Sequence, residues 1–222
     1  MAMSKAHAKL VTLADPNSPV SEAYRTLRTN LEFTALSREL RALVVTSPAP
    51  GEGKSTTLAN LAVTMAQGGR LVILVDADMR RPAQHVIFGV ANENGLSNTL
   101  LDEALVAEPP LVETGVEGLR LLPAGSRPPN PAELLASPRM GEFIEVIQER
   151  GDIILFDAPP ILPVTDASIL AARTDGVLLV LQAGKTKREH AARARTLLEQ
   201  VGARIIGTTL TNARVDSDLG GY

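Results

Sequence analysis

Cysteine is absent from this chain, which excludes disulfides and thiolate metal sites and fits a reducing cytoplasm. Aromatic residues are scarce at 3%, so Val, Leu, Ile and Ala must fill the core. Positive charge is not in excess: a net charge of −3 and a sequence pI near 5.7 leave no basic footprint for nucleic acid. No apolar run approaches the roughly 20 residues that a membrane helix needs, and no signal peptide precedes the first motif. The expectation is a soluble chain. Composition does not shift along the sequence either, so its 222 residues read as one α/β domain with a substantial core.

Against these absences stands the stretch 43–57, LVVTSPAPGEGKSTT. Leu43, Val44 and Val45 read as a short buried strand. A loop of Pro and Gly follows, and a helix opens at Lys54 with Leu58, Leu61 and Met65 at helical spacing. A loop between a strand and a helix N-terminus suits a phosphate, because successive backbone N–H groups point inward and the helix dipole favours negative charge. Gly51 and Gly53 let the backbone approach phosphate oxygens, Lys54 can reach the outer phosphates, and the Ser55 hydroxyl can ligate Mg²⁺. Glu52 and Thr56 are counted with these as cofactor-binding positions. The pattern is G-x-x-x-x-G-K-[ST] with one departure, Pro48 at the first glycine position.

Two further apolar strands end in acid. LVILV (71–75) runs into Asp76-Ala77-Asp78-Met79-Arg80, and period-two geometry sends Asp76 and Asp78 to one side. Carboxylates so close repel unless they share a cation or a proton, and a Mg²⁺ held by Ser55 would supply the cation. The run from Ile153 to Phe156 ends in Asp157-Ala158-Pro159-Pro160; an aspartate there suits a Mg²⁺ carboxylate, and the prolines stiffen the exit. Asn212, after the final strand, has the amide chemistry to pair with an adenine edge.

Elsewhere strands and helices alternate. Residues 4–17 show no period, so 1–17 is expected to be an irregular arm. Ser18 caps a helix with Pro19 at its first position and Val20, Tyr24, Leu27 and Leu31 along an apolar stripe. Glu22, Arg25 and Arg28 step round a neighbouring face, which by itself reads as a solvated ion-pair face. Residues 81–116 signal poorly, with short helices expected near 83–88 and 97–104. Strands are expected at 119–122, 176–181 and 204–210, and helices from Pro131, from Pro138, near 166–173 and over 187–201. The fold these elements predict is α/β, a mostly parallel central sheet with helices on both faces, of the P-loop NTPase type, over residues 18–215. A flexible tail, 216–222, is expected to follow.

The PGEGKST loop, the VDADMR strand end and the ILFDAPP strand end together resemble the Walker A, A′ and B motifs of the bacterial tyrosine kinases (BY-kinases) that govern capsule and exopolysaccharide export. The segment from Ser21 to Arg28 resembles that family's E-x-x-R-x-x-R oligomerisation motif, and LPAGSRPPNPAELLAS is similar to a characteristic family segment. The resemblance covers about residues 18–215. It implies Mg·ATP as donor and tail tyrosines of a neighbouring subunit as acceptors, within a ring-like homo-oligomer. Lys54 would clamp the phosphates, Ser55 and Asp157 would organise Mg²⁺, and Asp76 and Asp78 would serve the metal and the acceptor hydroxyl. The implied metal set is Ser55, Asp76 and Asp157, and which of Asp76 and Asp78 acts as base is left open at this point. Glu22, Arg25 and Arg28 become a subunit interface. An inner-membrane polysaccharide co-polymerase becomes the activator, a tyrosine phosphatase a further candidate partner, and the cytoplasmic side of the inner membrane the expected location.

Only Tyr24 and Tyr222 are present. Tyr24 lies on the apolar stripe, so Tyr222 is the expected phosphoacceptor. Here the chain departs from the family, whose members usually end in a cluster of several tyrosines. Two other readings compete. The partition and septum-site ATPases share the A′ and B strands but carry an early Lys in a Lys-Gly-Gly loop, where this chain has Ser47-Pro48-Ala49-Pro50. The other is a nucleotide-gated scaffold of a polysaccharide export complex.

Overall fold

The computed structural model describes residues 10–37 and 39–213. Along the chain the strands are β1 (Ala42–Thr46), β2 (Val72–Asp76), β3 (Val112–Glu113), β4 (Leu119–Leu122), β5 (Ile153–Asp157), β6 (Gly176–Gln182) and β7 (Ile205–Thr211). They form one sheet in the order β3-β4-β2-β5-β1-β6-β7, parallel throughout except for the β3–β4 pair. Every residue of β1, β2 and β5 is buried, as strands covered on both faces must be.

Ten helices are described: α1 (Val11–Ala14), α2 (Pro19–Ser37), α3 (Lys54–Gln67), α4 (Gln84–Phe88), α5 (Leu96–Leu101), α6 (Glu103–Ala107), α7 (Pro131–Ala136), α8 (Pro138–Gln148), α9 (Asp166–Ala171) and α10 (Arg188–Gln200). Alternation along β1 decides which cover which face. Ala42 and Val44 join a cluster containing Phe143, Ile147, Leu170 and Leu198, from α8, α9 and α10. Leu43 and Val45 join the other, with Leu31, Leu58 and Leu61 from α2 and α3. Each large apolar side chain so buried contributes about 1.5–3 kcal/mol.

The strand order also fixes where a ligand can sit. The chain leaves β1 through α3 and passes beyond β5 to reach β2, then later crosses back over β1 from β5 to β6. The carboxyl ends of β1, β2 and β5 therefore lie side by side, with Val45 opposite Asp157 and Asp157 opposite Asp76 in register. Such a reversal opens a crevice at the strand ends.

Local differences from the sequence reading have local causes. Ser18 caps α2 as expected, its hydroxyl accepting the Ser21 N–H at 3.2 Å. The arm expected to be irregular instead holds the single turn α1. Leu10 is fully buried, and Thr12 donates from both N and Oγ1 to Asn60 Oδ1 at 3.1 and 3.0 Å. One turn is too short to show a period. The helix expected near 97–104 is two, because Asp102 is extended and its carboxylate caps α6 by accepting from Ala104 N. The expected tail, with Tyr222, lies outside the described residues.

Candidate functional site

The loop after β1 turns on its glycines. Gly51 and Gly53 have φ of 74° and 91°, a region that side chains with a Cβ avoid, and a Cβ at Gly53 would stand 3.1 Å from Thr211 Cγ2. Gly53 is also the N-cap of α3, its carbonyl accepting the Thr57 N–H at 2.9 Å. Pro48, at the first glycine position of the pattern, accepts from Leu162 N through its carbonyl at 3.3 Å.

Glu52 holds this loop in shape. Its side chain is buried, accepting from Ala49 N at 2.9 Å through Oε2 and from Thr186 Oγ1 at 2.5 Å through Oε1. The Glu52 carbonyl accepts from Thr211 Oγ1 at 2.8 Å, and the Gly51 carbonyl from Lys185 Nζ at 3.2 Å. The loop is thus tied to the exits of β6 and β7. Glu52, expected as a cofactor-binding position, has its side chain turned to the loop itself and acts through the loop's shape.

At the start of α3, Lys54 Nζ lies 2.9 Å from Asp78 Oδ2, 2.9 Å from Asp157 Oδ1 and 3.1 Å from Ser55 Oγ. Burial pulls the ammonium down, but the carboxylates of Asp157 and Asp78 outweigh it and hold Lys54 above its ordinary value. Asp157 is fully buried; its second oxygen accepts from Gln84 Nε2 at 2.7 Å. Gln84 Nε2 also donates to the Ser55 carbonyl at 3.1 Å, which joins α4, α3 and β5 through one amide. Nothing in the sequence marked Gln84.

Asp76 takes a different part from its neighbour. Fully buried, it accepts from Ala83 N and Gln84 N at 2.9 Å through Oδ2 and from Asp78 N at 3.3 Å through Oδ1. Burial and then the charge of Asp157 push its carboxyl up to about 8, against the pull of those N–H groups and of Lys54. Asp78 has one oxygen on Lys54 and the other accepting from Arg81 N at 3.0 Å.

Two cavities open on either flank of the loop and share Gly51, Gly53 and Thr56. One, of about 450 Å³, is lined by Lys54, Ser55 and Asp78 with Arg80, Arg81 and a wall of prolines after β5. The other, of about 550 Å³, lies between the loop, the end of β7 and α2, with Asn212 in its lining. Asn212 has a φ of 53°, the one positive value among described residues other than glycine. Val20, Tyr24 and Leu27, from the apolar stripe of α2, form part of this second wall. Burial pushes the Tyr24 hydroxyl above its ordinary value, against its hydrogen bond with Thr57.

Among the described residues no group of three or more His, Asp or Glu side chains forms a cation cage. Ser55 and Asp157, both in contact with Lys54 Nζ, have the chemistry that suits Mg²⁺, which is commonly held by one or two carboxylates and substrate phosphates. On α2, Arg25 pairs with Glu22 at 2.7 Å, while Arg28 donates to the Thr64 carbonyl of α3 at 2.9 Å. The structure thus brings Lys54, Ser55, Asp76, Asp78 and Asp157 together and sets Glu22, Arg25 and Arg28 apart from them on α2.

A strand, a glycine-bearing loop and a Lys-Ser helix start, facing aspartates at adjacent strand ends, define a P-loop nucleotide-binding protein. Residues 41–205 match the family model described as AAA domain. The chain is 40% identical over 221 residues to the tyrosine-protein kinase YwqD of Bacillus subtilis, covering 99% of this chain and 93% of that protein. Among solved structures it resembles the chimerical protein CapA2B2, with 35% identity, a TM-score of 0.88 and coverage of 94% and 91% of the two chains. It also resembles the kinase domain of the Escherichia coli tyrosine kinase ETK, with 30% identity, a TM-score of 0.86 and coverage of 99% and 88%. The chain belongs to the bacterial tyrosine kinases.

Proposed function

We propose that this chain transfers the γ-phosphoryl group of ATP to tyrosine hydroxyls, Tyr222 of a neighbouring copy among them. The observation that carries the reading is Lys54 Nζ poised between Asp78 and Asp157 at a helix N-terminus that opens on two cavities. A triphosphate along residues 51–56 would meet backbone N–H groups and take Lys54 from its carboxylates. The base and ribose would occupy the cavity beside Asn212. Mg²⁺, when bound, neutralises charge on the terminal phosphates. Ser55 and Asp157 are the side chains placed to hold it, and Asp76 supports them from behind by fixing the backbone of Gln84.

On the other flank Asp78 reaches the cavity in which an acceptor would lie. Phosphoryl transfer asks the protein mainly for position and charge. The tyrosine oxygen bonds to the γ-phosphorus as the bond to the bridging oxygen of ADP breaks. The phenolic proton, with an ordinary pKa of about 10, passes to the Asp78 carboxylate.

The same reading places the chain in a ring-like homo-oligomer contacted through Glu22, Arg25 and Arg28, and in the control of capsule or exopolysaccharide export. No described helix is long and apolar enough to cross a membrane. An inner-membrane activator, on the same chain or a separate one, would hold the kinase at that membrane, and a tyrosine phosphatase would reverse the modification.

Incubation with γ-labelled ATP and Mg²⁺ tests the activity. Label on protein that disappears in Tyr222→Phe is expected. Free phosphate without labelled protein would favour the partition-type ATPase, and neither product would favour the scaffold.

A further inference from the structure

We propose that the cavity on the Asp78 flank selects tyrosines preceded by acidic residues, with Arg81 as the specificity-determining side chain. This rests on the kinase reading above and names its acceptor class. The cavity has an apolar wall of Pro159, Pro160, Pro163 and Val164, a surface against which an aromatic ring can bury its face. Lys54 and Asp78 line the same cavity, so a ring seated on the prolines would share it with the groups at the phosphate end.

The rim carries two arginines with different employment. Arg80 is spent: Nε and Nη2 donate to Asp166 Oδ1 and Oδ2 at 2.9 and 3.1 Å, and Asp166 is fully buried at the start of α9. That bidentate pair ties the exit of β2 to the start of α9, just beyond the proline segment. Arg81 is not spent. Its backbone N–H is fixed on Asp78 Oδ1 at 3.0 Å, yet its exposed guanidinium makes no hydrogen bond or ion pair among the described residues.

Once Lys54 turns to phosphate, Arg81 is the cation left facing the acceptor. Carboxylates on the N-terminal side of a tyrosine complement it. This chain carries such a segment, with Asp216 and Asp218 before Tyr222, so a second copy is the occupant to which the charge points. An exposed pair of this kind acts on encounter and binding more than on chemistry, and salt screens it.

The test uses the whole protein, Mg·ATP and two peptides: the sequence of residues 211–222, and the same peptide with Asp216→Asn and Asp218→Asn. Wild-type protein should show a KM about 5- to 10-fold lower for the acidic peptide at low salt, a gap that closes at high salt. Arg81→Gln should bring the two KM values together by raising that of the acidic peptide. Arg81→Glu should prefer a version bearing Lys at both positions, a reversal that a merely structural role for Arg81 cannot produce. Equal KM values for both peptides in wild type, or losses in Arg81→Glu that ignore peptide charge, overturn the inference while leaving the kinase reading intact. If neither the peptides nor the protein itself is labelled although Mg·ADP binds, the kinase reading fails and the inference falls with it; labelled protein beside unlabelled peptides overturns the inference alone.

Discussion

Gln84 Nε2 donates to Asp157 Oδ2 at 2.7 Å, so an uncharged amide from α4 sets the orientation of the carboxylate that faces Lys54. The other end of that amide, Oε1, is buried without a partner. Groups that orient a metal-binding carboxylate typically matter 10- to 100-fold for metal affinity or activity. Gln84→Ala should raise the Mg²⁺ concentration at half-maximal labelling about 10-fold. An unchanged midpoint would separate Gln84 from the site.

Lys54→Met should abolish label transfer and also destabilise the nucleotide-free protein. Two buried carboxylates lose their cation, and breaking such a pair costs about 3–5 kcal/mol. Urea unfolding measures the loss, and far-UV circular dichroism before unfolding shows whether the fold persists.

Asp76 predicts a dependence of stability on pH. Its carboxyl stands at about 8 in the fold against 3.8 ordinarily, so between those values the folded chain keeps a proton that the unfolded chain has released. The unfolded state then binds fewer protons, and the contribution of Asp76 to stability falls as pH rises from about 4 to 8. Denaturant midpoints measured without Mg²⁺ across that window should fall, and Asp76→Asn should flatten the decline.

Glu52→Ala should loosen the phosphate loop without touching the aspartates. Ala49 N and the Thr186 hydroxyl lose their acceptor, at a cost of about 1–3 kcal/mol. Thermal unfolding reads that cost. Binding of Mg·ADP, followed by calorimetry, should weaken about 10-fold, while Glu52→Gln, which keeps an acceptor, should recover most of it.

The strands that carry the site were legible because each is a continuous apolar run stopped by an acidic or glycine-rich turn. Asp76, Asp78, Asp157 and Lys54 could be named from that pattern, and the parallel sheet followed from helices between the runs. Gln84 and the Arg80–Asp166 pair could not. They depend on residues 73 and 86 positions apart in sequence, brought together only when β2 and β5 lie side by side and α9 packs behind them. The stripe of Val20, Tyr24 and Leu27 was visible, but apolar spacing does not distinguish a helix face sealed in a core from one walling a cavity. Asp76 and Asp78 looked equivalent for the same reason. Alternation places both on one side and says nothing of the backbone N–H groups that claim Asp76.

Phosphotyrosine formation by Asp78→Asn, quantified by mass spectrometry beside wild type at saturating Mg·ATP, tests the central claim most directly. The account predicts phosphotyrosine in wild type and at least a 100-fold slower rate in the variant, within the roughly 10²- to 10⁴-fold contribution of a positioned base, with Mg·ADP still bound by both. Equal rates in the two proteins would contradict it.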